Sequence, residues 1–123
     1  MKILLHALLP TLLCLTASAS AAPGDRGKRL FIQCQACHSV NAGAPHKVGP
    51  NLHGTVNARA ASRAGYNYSP ALKKSGLVWD DKTLDRWLAK PTAVVPGNKM
   101  VFNGMANAKD RQEIIAYMKK ATR

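Results

Sequence analysis

Acidic residues are scarce in this chain: six Asp and Glu stand against 18 Lys and Arg in 123 residues, for a formal charge of +12. An excess of that size marks a nucleic-acid or membrane-surface ligand, or a protein steered by charge toward acidic partners. Cysteine is nearly absent too, with three in all, too few for the two thiol pairs of a zinc ribbon. No stretch alternates apolar and polar residues as a half-buried strand would, which removes the βαβ setting of a thioredoxin-like cysteine pair. The chain also has no internal repeat and no low-complexity tract, and its longest apolar run is shorter than the about 20 residues needed to cross a bilayer.

That run belongs to a leader. After Met1 and Lys2 come the mostly apolar residues Ile3 to Leu15, broken by His6, Pro10 and Thr11, and then the small-residue segment Ala17 to Ala22. A short apolar core followed by an Ala-x-Ala pattern reads as a cleavable signal peptide over residues 1–22, cut between 19 and 22, with one domain over 23–123. Leu13 is too bulky before Cys14 for a lipoprotein signal. The expected product is exported, periplasmic and free of Cys14 and Lys2. Export excludes nucleic acid and leaves acidic docking faces on other proteins as the reading of the basic excess.

The remaining thiols lie in Cys34-Gln35-Ala36-Cys37-His38. Two thiols three positions apart on a helical turn can each form a thioether to a haem vinyl group, and the adjoining imidazole then falls beneath the iron as an axial ligand. One c-type haem, covalently held by Cys34 and Cys37 with His38 as metal ligand, is therefore expected. It also answers a problem of size, because about a hundred residues form a marginal core and a bound flat group stabilises the folded state.

The expected fold is all-α, with three main helices and long loops wrapped around the haem. The first helix runs from an Asp25 N-cap through Leu30 and Phe31 into the cysteine motif. The second starts after Asp80, with Trp79 and Leu84 as a hydrophobic staple and Leu84, Trp87 and Leu88 on one face, and Pro91 stops it. The third runs from about Asn107, with Asp110 three residues on, to Lys120, and its stripe of Ile114, Ile115, Met118 and Ala121 packs on the first helix. A short helix at 70–74 is weakly signalled. Two long loops, 41–68 and 91–106, need a surface to lie on, which a flat cofactor supplies.

The second axial position separates an electron carrier from a ligand-binding haem protein. A methionine thioether is a soft ligand that favours reduced iron. Met118 belongs to the core stripe of the last helix. Met100, in Pro96-Gly97-Asn98-Lys99-Met100, and Met105 in the same loop both satisfy the spacing, and the Pro-Gly turn favours Met100.

Five segments in register, Gly27 to Phe31, the cysteine motif, His46 to Gly54, Trp79, and Pro96 to Phe102, together with a last helix over 111–122, resemble class I cytochromes c, in particular the mitochondrial-like bacterial members, over residues 24–122. The resemblance implies the cytochrome c fold with Met100 as distal metal ligand and Phe102 closing the haem crevice. It implies that the Pro50 carbonyl accepts a hydrogen bond from His38, that Tyr68 and Trp79 meet a haem propionate, and that His46 and His53 bond to backbone. It implies a monomeric one-electron shuttle between a membrane reductase and a terminal oxidase or other acceptor, in transient contact at the membrane surface, and not an enzyme. A peroxidase would need an open iron position with a distal acid or base, and four-helix ligand-binding cytochromes carry the motif near the C-terminus.

The chain departs from the family at several positions. Ala58 stands where many relatives have a propionate-facing arginine, with Arg59 next to it. Trp87 replaces a tyrosine that bonds the methionine sulfur. Gln33 and Thr92-Ala93 replace docking lysines, leaving Lys28, Lys47, Lys90 and Lys99 as candidates for the contact face.

Overall fold

The structure is a computed structural model that describes residue 22 and residues 25–123. The leader and its cleavage point lie outside the described residues. Five helices follow in order: α1 (Asp25–Gln35), α2 (Pro70–Lys74), α3 (Asp81–Ala89), α4 (Pro91–Val94) and α5 (Ala108–Ala121). Among the described residues, β structure is confined to an isolated antiparallel bridge between Arg59 and Val78.

Local chemistry accounts for the helix ends. Asp80 accepts from the Thr83 N–H at 2.7 Å, and Asn107 accepts from the Asp110 N–H at 3.1 Å, so each caps its helix from outside. Trp79 and Leu84, the residues flanking the α3 cap, are both buried, as a hydrophobic staple requires. Asp25, expected as a cap, falls inside the first turn of α1. Pro91 does more than end α3. Lys90 before it is extended, with φ −164° and ψ 91°, and the proline occupies the first position of the additional helix α4, where its missing N–H costs nothing.

The frame is α1 laid against α5, with α3 also packed on α5. Phe31 and Ile114 are fully buried at the crossing, and Phe31 meets Tyr117 with ring centroids 5.1 Å apart. Gly27 permits that approach. A Cβ there would run into the Glu113 carbonyl and the Tyr117 Cβ. Three ion pairs link the helices: Arg26 with Asp110, Arg111 with Asp85, and Lys119 with Asp81. With Asp80 capping α3, four of the six acids in the chain serve the helical frame. Partly exposed pairs of this kind add little stability singly and chiefly fix orientation.

Gly27→Ala is expected to destabilise the fold by about 2–3 kcal/mol through overpacking. Chemical denaturation should show a lower midpoint with little change in slope.

Candidate functional site

A cleft of about 240 Å³ opens beside this frame, and the core itself forms its back wall: Phe31, Leu84, Leu88 and Met118 belong both to the buried cluster and to the lining. Apolar side chains facing an open cleft are the signature of a site for a flat apolar group, because water there would forfeit the burial that holds the frame together. Met118 thus has the expected core position and also faces the cleft.

Cys34, Cys37 and His38 enter from the end of α1. The Cys37 and His38 N–H groups both donate to the Cys34 carbonyl, at 3.1 and 2.9 Å, and this final turn brings the two sulfurs and the imidazole to the same rim. Both thiols are free and half-buried. Burial, helped by the neighbouring Cys37, pushes the Cys34 thiol up to about 11. The Cys34 thiol is therefore protonated at neutral pH, and among the described residues no group of three or more His, Cys, Asp or Glu could hold a metal ion as a closed cluster.

His38 is prepared differently. Its Nδ1 lies 2.7 Å from the Pro50 carbonyl. A carbonyl can only accept, so Nδ1 carries the proton and Nε2 is left with a bare lone pair. Burial holds the imidazole below its ordinary range against the opposing pull of the Pro50 bond, and the Lys47 charge lowers it further. Gly49 makes the contact sterically feasible, since a Cβ there would overlap the His38 ring. The Gly49 N–H in turn donates to the Cys37 carbonyl at 2.8 Å.

A second loop anchors the first. The Asn51 amide donates to the carbonyls of Asn41 and Ala44, and its Oδ1 accepts from the His53 N–H. His46 accepts the Asn51 N–H at Nδ1, so its Nε2 carries the proton and donates to the Ala64 carbonyl at 2.8 Å. The resemblance gave His53 a similar role, but the His53 ring makes no hydrogen bond among the described residues, and this residue is held by its backbone.

The segment 98–102 also lines the cleft. Asn98 shapes it: its amide donates to the Val95 carbonyl and its Oδ1 accepts the Met100 N–H at 2.9 Å. Gly97, at φ +84°, makes the turn into it. Met100 and Phe102 line the cleft, while Met105 packs on the core outside it, its N–H donating to the Leu88 carbonyl at 2.8 Å. Geometry thus separates two methionines that spacing leaves equivalent. Tyr68 and Trp79 are buried and line the inner end, and Trp87 meets Trp79 edge to face at 5.0 Å. Arg59 lines the cleft but is exposed.

Three contributors were not singled out from sequence: Asn98, Arg63, and Tyr66, whose hydroxyl donates to the Val48 carbonyl at 2.6 Å and joins the two rims of the cleft. The Asn-x-Met turn at 98–100 is a local signal that could have found the first. Nothing local points to the other two, which depend on how the 59–68 loop folds back.

The family model for Cytochrome c matches residues 24–122. The chain is 48% identical over 120 residues to cytochrome c2 from Rhodomicrobium vannielii, covering 96% of this chain and 95% of that one. It is 44% identical over 97 residues to cytochrome c from Kluyveromyces lactis, covering 78% and 88%. Among solved structures it is similar to cytochrome cH from Methylobacterium extorquens, at a TM-score of 0.73 and 47% identity, covering 77% of this chain and 95% of that one.

Gly49→Ala is expected to push the His38 ring off Pro50 and destabilise the protein by about 1–3 kcal/mol. The His38 Nδ1–H resonance, slow to exchange in the parent, should disappear from the proton NMR spectrum of the variant.

Proposed function

The chain belongs to the cytochrome c family, and from that membership we propose that it is a periplasmic one-electron shuttle whose iron is held by His38 and Met100. It is an electron carrier and not an enzyme, with one c-type haem covalently attached through Cys34 and Cys37. The haem, when bound, supplies an iron that gains and loses one electron without any substrate bond being made or broken.

The observation that carries the ligand assignment is the pairing across one cleft of an unprotonated imidazole nitrogen, fixed by Pro50, with a thioether at Met100. The residues present fit the group: two free thiols, one nitrogen donor, one sulfur donor and an apolar wall. Pro50 makes the imidazole a stronger donor. In this reading Phe102 and the core side chains exclude water, and Tyr68 and Trp79, which line the cleft, meet the propionates.

The mouth of the cleft suits brief contact with an acidic protein face, on a membrane reductase or on a terminal oxidase or similar acceptor. Val101 is fully exposed and Val48 is 78% exposed at the rim. Lys47 donates to the Gln35 carbonyl and Lys99 to the Asn67 carbonyl, which holds both ammonium groups near that apolar collar. Lys28 and Lys90 are exposed and make no ion pair among the described residues. A small apolar contact ringed by cations favours fast, weak association. No helix among the described residues is long and apolar enough to cross a membrane.

Met100→Ala is expected to lower the reduction potential, abolish the weak far-red band of the oxidised spectrum and open the iron to carbon monoxide, whereas Met105→Ala leaves all three as in the parent. The reverse result would move the ligand to Met105. Raising ionic strength from about 10 to about 150 mM shortens the screening length more than threefold, and turnover with a membrane partner should slow several-fold. A flat response would remove charge steering.

A further inference from the structure

We infer that Arg63, in the middle of the 59–68 loop, is the counter-charge for a haem propionate. The inference rests on the haem occupying the cleft as proposed above.

Arg63 is half-buried and lines the cleft, yet it makes no ion pair and no side-chain hydrogen bond among the described residues. A guanidinium stays protonated at any physiological pH. Withdrawn from water, it must find an anion or bear the cost of desolvation. This chain offers none nearby, because the cleft lining contains no Asp or Glu. Asp81, Asp85 and Asp110 are engaged in the helical frame and Asp80 caps α3. The anion has to arrive with the bound group, and a carboxylate matches the planar fork of donors.

The placement of the guanidinium is built. Its Nη2 lies 2.6 Å from where a Cβ on Gly54 would stand, so the side chain rests against a bare Cα. Gly54 also has φ +66°, a conformation other residues resist. Burial pushes the Tyr68 phenol above its ordinary range, and the backbone N–H and charge of the neighbouring Arg63 oppose that rise. The charged and titratable groups on this side of the cleft are Arg59, Arg63, Tyr66, Tyr68 and Lys99. Lys99 is tied to the Asn67 carbonyl, and Arg59 is exposed, where water satisfies it. Arg63 alone combines withdrawal from solvent with a missing partner.

The test uses the haem-loaded protein and its R63Q, R63A, R63K and R59A variants, with the midpoint potential followed by spectroelectrochemistry from about pH 4 to about pH 9. A carboxylate charge beside the haem favours oxidised iron, and a facing cation offsets it. Losing the cation in R63Q or R63A should shift the equilibrium with a reference couple toward the oxidised form by about threefold to tenfold, the latter corresponding to one unit of carboxyl pKa. It should also bring the propionate pKa up into the measured range, so that the potential falls as pH rises through it. R63K should restore most of the parent behaviour, and R59A should match the parent. The same shifts in chloride and in phosphate assign the anion to the haem. Parent-like potentials in R63Q and R63A, the shift appearing in R59A instead, or a shift seen only in phosphate would each overturn the inference while the far-red band still reports the proposed axial ligands. Parent protein recovered without haem would instead sink the proposed function and this inference with it.

Discussion

The bond between the His38 ring and the Pro50 carbonyl decides what the cleft can hold. Because the carbonyl accepts, the ring has one tautomer, and the nitrogen left over is a lone-pair donor. Around this contact the neighbouring sequence is adapted to allow it: Gly49 gives up its side chain to the ring, and Asn51 ties the loop to Asn41 and Ala44. Loosening any of these would free the His38 ring from its single tautomer.

The apolar wall imposes a complementary condition. Phe31, Leu84, Leu88 and Met118 are shared between the helical core and the cleft, so the core is finished only when something flat and apolar lies against it. Fold and cofactor are thus two halves of one hydrophobic surface. The cleft takes charge of one sign only: Arg59, Arg63 and Lys99 line it, while Asp80, Asp81, Asp85 and Asp110 serve the helices.

Much of this is legible in the sequence because it is local. The cysteine motif, the Asp80 and Asn107 caps, the staple of Trp79 on Leu84 and the stripe of α5 each lie within a few turns, where spacing alone carries the geometry. Helix α4 escaped because a proline reads first as a terminator and only in context as a beginning. Met100 and Met105 could not be separated by spacing, since their difference is tertiary: the turn shaped by Asn98 leaves Met100 on the cleft, while Met105 is tied back to the Leu88 carbonyl. Tyr66 and Arg63 belong to a loop that folds back without helix or strand, and no periodicity reports where such residues end up. His53 is held instead through its backbone, whose N–H donates to Asn51 Oδ1.

Helices α1 and α5 form one interface from opposite ends of the chain. A polypeptide made from its N-terminus therefore displays its thiol pair long before the segment that will cover Phe31 has been synthesised. Closure of the frame therefore waits on a contact between the two ends of the domain, a non-local pairing of the kind that slows folding.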